Sequence, residues 1–201
     1  MQFLTHSSSA RLPTQYGDFD LHVFQDQRTD VEHIALTCGD ITRSQNPLVR
    51  VHSECLTGDV FASTRCDCGE QLHHAQRLIQ EHGHGLVLYL KNHEGRGIGL
   101  SNKMRAYALQ DQGLDTVEAN EALGLPVDSR SYEAASEMLS FFEIASVRLL
   151  TNNLGKKSAL EALGITVHQQ VPLLTEPTLE NLKYLQTKST KLGHLIPDLM
   201  G

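Results

Sequence analysis

The stretch Leu86-Val-Leu-Tyr-Leu90 is a continuous apolar run, and it leads into the glycine-rich segment His93-Glu-Gly-Arg-Gly-Ile-Gly99. An apolar residue at every position of so short a run predicts a strand that is buried on both faces, as in a parallel sheet. Residues 101–112 then predict a helix that ends at Gly113. A buried strand, a tight turn and a helix in this order indicate an α/β fold.

Further strands and helices alternate along the chain. Apolar runs and polar–apolar alternation predict strands, and apolar residues at helical spacing before a glycine predict helices. The predicted strands are 11–25, 32–38, 48–52, 86–90, 147–150 and 165–171. The predicted helices are 70–82, 101–112, 131–142, 156–163 and 178–194. We therefore expect an α/β fold: a single layered domain over residues 1–201, with a mixed β-sheet flanked by helices and with flexible ends at 1–10 and the last few residues.

The composition is that of a globular protein with an acidic balance. The chain has 201 residues, 40% of them hydrophobic, and a formal net charge of −7. It has no run of about 18 apolar residues, and its N-terminus lacks the apolar core of a secretory signal, so we expect a cytoplasmic protein without a membrane segment. The absence of a basic stripe disfavours a nucleic-acid partner. A local group of Arg, Lys and backbone N–H groups can nevertheless bind phosphate on an acidic protein.

Three cysteines lie close together in the pattern Cys55-x10-Cys66-x-Cys68. Thiolates are favoured zinc ligands, and three protein ligands with one open position are the arrangement of a catalytic zinc site. The spacing alone leaves two alternatives open. One is a closed structural zinc site completed by His52 or His73, and the other is a set of three unrelated thiols. A catalytic zinc would indicate hydrolysis at an electrophilic carbon, because zinc activates water at neutral pH.

Two turns between a strand and a helix carry groups that suit an anionic ligand. The segment 93–99 places Arg96 among glycines before a helix, where backbone N–H groups favour anions. The segment Thr151-Asn-Asn-Leu-Gly-Lys-Lys157 combines a hydroxyl, amides and cations in the same context. Each also fits an ordinary turn or a capped helix start. Asp128 and Arg130 place an acid and a guanidinium close together. On its own, such a pair is typical of a solvent-exposed ion pair at the protein surface.

Taken in order, six segments of the chain resemble GTP cyclohydrolase II, the enzyme that opens riboflavin biosynthesis. The segments are Arg50-Val-His-Ser-Glu-Cys-Leu-Thr-Gly-Asp59, Arg65-Cys-Asp-Cys-Gly69, Glu94-Gly-Arg-Gly-Ile-Gly-Leu100, Arg105-Ala-Tyr-Ala-Leu-Gln-Asp111, Asp115-Thr-Val-Glu-Ala-Asn120 and Leu149-Leu-Thr-Asn-Asn153. The resemblance extends from Leu12 to His194. Several long matches in the right order are far more specific than any single motif.

The resemblance implies a role for each matched residue. One zinc per subunit would be bound by Cys55, Cys66 and Cys68, with water in the fourth position. The GTP site would be lined by Arg50, Val51, His52, Ser53 and Glu54. The base, ribose and phosphates would be held by Gln71, Glu94, Gly95, Arg96, Thr116, Thr151 and Lys156. Asp128 would be the proton acceptor, Arg130 the nucleophile toward the α-phosphorus, and Tyr107 a catalytic residue beside the substrate. Mg²⁺ would accompany the triphosphate, and the protein would be a homodimer.

The implied reaction hydrolyses GTP at C8 of guanine and releases formate and diphosphate. Its product is 2,5-diamino-6-ribosylamino-4(3H)-pyrimidinone 5′-phosphate. Arg130 is an unusual nucleophile, because a guanidinium has a pKa above about 12 and stays protonated. An alternative role is to stabilise charge at the α-phosphorus while water attacks.

Two other functions fit parts of the sequence. One is a GTP-binding relative that releases a formylated intermediate or has no turnover. The other is a structural zinc protein that binds a macromolecule, which the acidic charge disfavours for nucleic acid. The chain also departs from the commoner family pattern at Lys91-Asn-His93, one residue longer, and at Leu154, where proline is usual. These departures bear on nucleotide affinity and product distribution and leave the cysteines unchanged.

Overall fold

Seven strands form one mixed sheet in a computed structural model, which describes residues 2–43 and 45–196. The spatial order of the strands is β1-β2-β3-β5-β4-β6-β7. Neighbours are antiparallel from β1 to β5 and parallel from β5 to β7, so the predicted mixed sheet is confirmed. The strands are β1 Leu4–Thr14, β2 Gly17–Asp26, β3 Glu32–Cys38, β4 Leu48–Ser53, β5 Gly85–Leu90, β6 Ser146–Leu150 and β7 Thr166–Val171.

The prediction of one strand over 11–25 is wrong, because β1 and β2 form a hairpin there. The chain turns at residues 15–16, and Thr14 pairs with Gly17 across the turn. A turn of two residues does not interrupt the alternation of polar and apolar side chains. The alternation alone therefore does not distinguish this hairpin from one long strand. Strand β1 also contains residues 4–10, a segment expected to be flexible, and pairs Leu4 with Asp26. The expected flexible end at 197–201 lies outside the described residues.

Seven α-helices and two short 3-10 helices are described in residues 2–43 and 45–196. The α-helices are α1 Leu56–Asp59, α2 Cys68–His82, α3 Gly99–Asp111, α4 Thr116–Ala122, α5 Glu133–Phe141, α6 Leu154–Ala162 and α7 Leu182–Lys191. The 3-10 helices are Ile41–Arg43 and Glu94–Arg96. The five predicted helices are present, and their boundaries differ from the prediction by four residues at most. Helices α1 and α4 were not predicted.

Strand β5 lies at the centre of the sheet and is covered on both faces. Leu86, Leu88 and Leu90 pack on one face in a cluster that includes Met138 of α5 and Leu160 of α6. On the other face, Val87 packs with Ala75 and Ile79 of α2. The burial of both faces explains the continuous apolar run that defines this strand.

The parallel strands β4, β5 and β6 end at the same edge of the sheet. Ser53 ends β4, Leu90 ends β5 and Leu150 ends β6. The segments that follow carry Cys55, the 3-10 helix Glu94–Arg96, and Thr151. Ligands of open α/β sheets bind outside the carboxyl ends of the strands, and this edge brings the sequence-predicted residues together. Among the described residues, no helix is both long and apolar enough to cross a membrane.

Candidate active site

The three predicted cysteines form one cluster. The sulfur atoms of Cys55, Cys66 and Cys68 lie within 4.8 Å of one another, and those of Cys55 and Cys66 are 3.7 Å apart. Among the described residues, this group of potential metal ligands contains the three thiols alone. His52 instead contacts Asp59, and His73 stacks on Tyr16 at 4.6 Å between ring centroids. A closed site completed by either histidine is therefore not formed, and the cluster can bind a metal through three thiolates.

Asp59 fixes the backbone and side chains next to Cys55. Its carboxylate accepts from the Cys55 backbone N–H at 2.9 Å and from the Tyr89 hydroxyl at 2.8 Å. The same carboxylate lies 3.0 Å from Nε2 of His52, whose ring stacks on Tyr89. Burial lowers the pKa of His52, and the hydrogen bond to Asp59 opposes that effect. Asp59 thus ties the end of β4 to α1, and holds Cys55 directly before the first residue of that helix.

Lys103 of α3 is a buried cation beside the cysteines that the sequence did not single out. Its ammonium donates to Cys55 Sγ at 3.1 Å, to Thr57 Oγ1 at 2.8 Å and to Glu94 Oε1 at 2.6 Å. Burial lowers the pKa of Lys103, but the charges of Cys55 and Tyr107 and the hydrogen bond to Glu94 raise it above its usual value. Hydrogen bonds from Cys66 and Cys68, with the charge of Lys103, hold the pKa of Cys55 well below its usual value.

A second buried cation, Arg50 of β4, begins a chain of polar contacts across the floor of the site. Arg50 donates to Gln71 Oε1 at 2.7 Å and to the Leu150 carbonyl at 3.0 Å. Gln71 in turn donates to Asp67 Oδ2 at 2.6 Å, and Lys188 of α7 pairs with the other oxygen of Asp67. The predicted residues Arg50 and Gln71 are therefore held in place by the carboxylate between Cys66 and Cys68.

Asp128 and Arg130 lie together at the opposite wall. Arg130 Nε donates to Asp128 Oδ1 at 2.9 Å, and Arg130 NH1 donates to Ser53 Oγ at 3.3 Å. Ser53 Oγ is also 3.1 Å from Nδ1 of His93. Burial, with the charges of Arg130 and Lys156, lowers the pKa of His93 to about 3, so its neutral ring can accept from the Ser53 hydroxyl. Burial lowers the pKa of Arg130, but the hydrogen bond to Asp128 outweighs it and keeps the guanidinium charged.

Lys156 completes this wall from the first turns of α6. Its ammonium donates to the Val51 carbonyl at 2.6 Å and lies 5.8 Å from the ring centroid of Tyr132. Burial and the nearby charges of Arg50 and Arg130 lower the pKa of Lys156 well below its usual value. A bound anion would oppose this shift, because it would offset the repulsion between the cations.

The C-terminal segment closes one side of the site. Tyr184 and Lys188 of α7 and His194 after it line the same space as Thr151. The Leu195 backbone N–H donates to the Asn152 carbonyl at 2.8 Å, which joins this segment to the end of β6. The helix predicted over 178–194 therefore contributes residues to the site.

The cysteines and both walls line one cleft. Fifteen of the predicted site residues line it: Arg50, His52, Ser53, Glu54, Cys55, Cys66, Cys68, Gln71, Gly95, Arg96, Tyr107, Thr116, Arg130, Thr151 and Lys156. The predicted residues that do not line it are Val51, Glu94 and Asp128. The Val51 side chain packs in the core, Glu94 is buried against Lys103, and Asp128 holds Arg130.

Other lining residues were missed as site residues in the sequence. They are His93, Ile98, Lys103, Ala106, Gln110, Asn120, Asn152, Asn153, Tyr184, Lys188 and His194. Several lie within segments that carried the family resemblance, such as Asn120, Asn152 and Asn153. Lys103, Tyr184 and Lys188 lie on helices with no local motif, so only their position in the fold reveals them.

The cleft is strongly cationic in an acidic protein. Six cationic side chains line it: Arg50, Arg96, Lys103, Arg130, Lys156 and Lys188. Among the described lining residues, Glu54 is the single carboxylate. Such a concentration of basic side chains beside a cluster of thiols suits a polyanionic ligand that also reaches a metal.

A family model described as GTP cyclohydrolase II matches residues 5–172, which include all three cysteines, Asp128, Arg130 and Lys156. The chain belongs to the GTP cyclohydrolase II family. Membership of this family of hydrolases confirms the resemblance stated above. The match ends before α7, so the closing wall formed by Tyr184 and Lys188 lies beyond the matched segment.

Named relatives agree with the family match. A protein of Neisseria meningitidis serogroup C (strain FAM18) named GTP cyclohydrolase-2 is 51% identical over 98% of this chain and 99% of its own length. The riboflavin biosynthesis protein RibBA of Salinispora tropica is 51% identical over 94% of this chain and 47% of its own. A probable bifunctional riboflavin biosynthesis protein of rice, RIBA 2, is 50% identical over 96% of this chain. The chain spans 35% of that rice protein, and less than half of the RibBA protein.

Proposed function

We propose that this chain hydrolyses GTP, opening the imidazole ring of guanine at C8. Formate and diphosphate are released, and the product is 2,5-diamino-6-ribosylamino-4(3H)-pyrimidinone 5′-phosphate, formed in the first step of riboflavin biosynthesis. The observation that carries this proposal is the arrangement of the cleft. A cluster of three thiols lines the same cleft as Arg50, Arg96, Arg130 and Lys156, which supports binding of a metal and a triphosphate side by side.

We propose zinc as the metal, bound by Cys55, Cys66 and Cys68 with one ion per subunit. The donor set supports this choice, because three thiolates select a soft or borderline ion and leave one position open. Zinc in an open site supplies activated water for attack on an electrophilic carbon, here C8 of guanine. The protein contributes by fixing the ligands: Asp59 holds the Cys55 backbone and Lys103 contacts its sulfur.

The cationic wall would bind the phosphates. Arg130 is held by Asp128 and carries a full charge, so we infer that it stabilises negative charge that develops at the α-phosphorus while diphosphate leaves. Ser53 and His93 orient the exposed edge of the guanidinium through a hydrogen-bonded chain. Mg²⁺ would accompany the triphosphate and offset part of its charge, as in other nucleotide reactions.

Base recognition would fall to the polar residues near the cysteines. We propose that Arg50, His52, Glu54 and Gln71 line the guanine and ribose region. Glu54 is the carboxylate there, and a carboxylate is an acceptor that suits the N–H groups of guanine. Thr116 and Thr151 line other parts of the same cleft and would contact the ribose and phosphates.

We also propose a homodimer in the cytoplasm, with neither a nucleic-acid nor a membrane partner. The large exposed apolar side chains Val60 and Phe61, with 64% and 71% of their surface accessible, support a protein interface beside α1. The four free thiols support a reducing compartment. The strongest grouping of cations is inside the cleft, which suits a small anion. Sedimentation analysis decides the subunit number, and a monomer at micromolar concentration would contradict the dimer.

The proposed activity is tested by incubating zinc-loaded protein with GTP and Mg²⁺. Formate, diphosphate and the pyrimidine are followed by mass spectrometry, and ATP in place of GTP is the matched control. We expect formate and diphosphate in equal amounts from GTP and none from ATP. GTP that remains unconsumed would contradict the proposed activity. A product that retains the mass of the formyl group would show that the reaction stops at the formylated intermediate.

A further inference from the structure

Lys103 and Glu94 form a buried ion pair beside Cys55. The Lys103 ammonium is 2.6 Å from Glu94 Oε1, and the two side chains are only 9% and 8% exposed. Lys103 is in α3, and Glu94 begins the 3-10 helix Glu94–Arg96. An ion pair this deeply buried is costly to form unless further hydrogen bonds satisfy both partners.

Both oxygens of Glu94 are used on the side of the cysteines. Oε1 accepts from Lys103, and Oε2 accepts from the Leu56 backbone N–H at 2.7 Å. Leu56 is the first residue of α1, immediately after Cys55. Glu94 does not line the cleft, although its neighbours Gly95 and Arg96 do. Its carboxylate therefore contacts the backbone next to a predicted metal ligand, and both of its oxygens already have a partner there.

Lys103 uses all its hydrogen-bond donors in the same place. An ammonium has three N–H donors, and Lys103 has three acceptors: Glu94 Oε1, Thr57 Oγ1 and Cys55 Sγ. No donor of Lys103 is left for a phosphate. Among the described residues, Lys103 is the cation with a hydrogen bond to a cysteine sulfur, whereas Arg130 donates to Asp128 and Ser53.

We propose that Lys103 and Glu94 are positioning residues of the metal centre, which hold Cys55 in place and offset its negative charge. Three thiolates around a divalent ion carry a net negative charge, and an N–H donor to one sulfur stabilises it in a buried environment. Glu94 orients that donor and also fixes the turn after Cys55. This reading separates Glu94 from the substrate contacts that the family resemblance implies for it. It rests on the proposed zinc site.

The inference is tested by zinc affinity, measured by competition with a chromophoric chelator on the full-length protein. Lys103→Met leaves the charge of the buried Glu94 without a counter-charge, which could destabilise the fold. The double variant Lys103→Met with Glu94→Gln removes both charges and avoids that cost. We expect both to bind zinc about 10–100-fold more weakly than the original chain. Lys103→Arg should recover part of the affinity. Lys157→Met is the control, because Lys157 is a half-exposed lysine of α6 outside the cleft, and its zinc affinity should be unchanged.

Two further readouts separate positioning from a general loss of structure. In the cobalt-substituted protein, loss of the N–H donor to sulfur should shift the thiolate charge-transfer band, and Lys103→Arg should move it back. At saturating zinc, Glu94→Gln should leave the KM for GTP unchanged. Zinc affinity in the double variant equal to that of the original chain would overturn the inference, as would a raised KM for Glu94→Gln with unaltered zinc affinity.

The test also distinguishes this inference from the proposed function. If the original chain binds zinc but does not consume GTP, the proposed reaction fails while the affinity comparison still decides the roles of Lys103 and Glu94. If the original chain is active and the variants bind zinc equally well, only the positioning role fails.

Discussion

Asp128 holds Arg130 by two parallel hydrogen bonds, one from Nε to Oδ1 at 2.9 Å and one from NH2 to Oδ2 at 2.5 Å. The paired geometry fixes the plane of the guanidinium and leaves its third nitrogen to reach Ser53. A two-point pair of this kind holds the positively charged guanidinium of Arg130 in one orientation. These contacts suit Asp128 to holding Arg130, and its role as a proton acceptor stays a prediction.

Substitution of Arg130 tests whether it acts through charge alone. Arg130→Lys keeps the charge but loses the two-point pair, so we expect diphosphate release to fall about 10–100-fold, and Arg130→Ala to fall by a further order of magnitude or more. Single-turnover assays with labelled GTP measure both. Arg148→Lys, at a residue of β6 outside the cleft, is the control. Capture of a phosphoryl group on Arg130, or equal loss in both variants, would contradict the charge role.

Removal of one thiol tests the metal assignment. Cys66→Ser leaves two thiolates, so we expect bound zinc and formate release to fall together to background. Metal content is measured by elemental analysis and formate by a coupled enzyme assay. Cys38→Ser is a matched control, because Cys38 is a buried thiol of β3 outside the cluster. Formate release at the original rate from Cys66→Ser would rule out the three-thiolate site.

Acid should destabilise the protein partly through His93. The folded pKa of His93 is lowered to about 3 from 6.5 by burial and by Arg130 and Lys156. As pH falls below 6.5, the unfolded chain takes up a proton that the folded chain does not, so the free energy of unfolding decreases between pH 6.5 and about 3.

Urea unfolding at pH 7.5, 6 and 5 measures this effect. The metal-free protein is used throughout, so that release of zinc does not contribute. We expect His93→Gln to show a shallower decrease than the original chain over this range. An equal slope for the two proteins would show that His93 is not responsible.

The start of α4 offers a test of how Thr116 is positioned. Asp115 accepts from the backbone N–H groups of Val117 and Glu118, and Glu118 reaches back to the Asp115 N–H, which is a complete capping box. Asp115→Ala should lower the free energy of unfolding by about 1 kcal/mol. Because Thr116 follows the cap and lines the cleft, the KM for GTP should rise.

Asp115→Asn is the matched variant, because it keeps the side-chain acceptor and loses the ion pair with Lys191. Near-normal stability in Asp115→Asn, together with a loss in Asp115→Ala, would assign the effect to capping. Equal losses in both would assign it to the ion pair.

Local patterns predicted most of the regular structure, and the failures have particular causes. The run Leu86–Leu90 identified the central strand because both of its faces are buried. The turn between β1 and β2 was missed because two residues preserve the alternation. Helix α4 was missed although Asp115 and Glu118 form a capping box, because the helix is short and has little apolar periodicity of its own.

The sequence by itself determined which potential metal ligands and charged groups the chain contains and to which family it is similar. The spacing of Cys55, Cys66 and Cys68 indicated a candidate metal site, and the order of six segments indicated the family, because local composition and chain order are written in the sequence. The tertiary structure alone decided which groups meet. Lys103 reaches Cys55 from 48 positions along the chain, and Lys188 reaches Asp67 from 121. Such contacts arise because parallel strands end at one edge of the sheet, and no local pattern records that convergence.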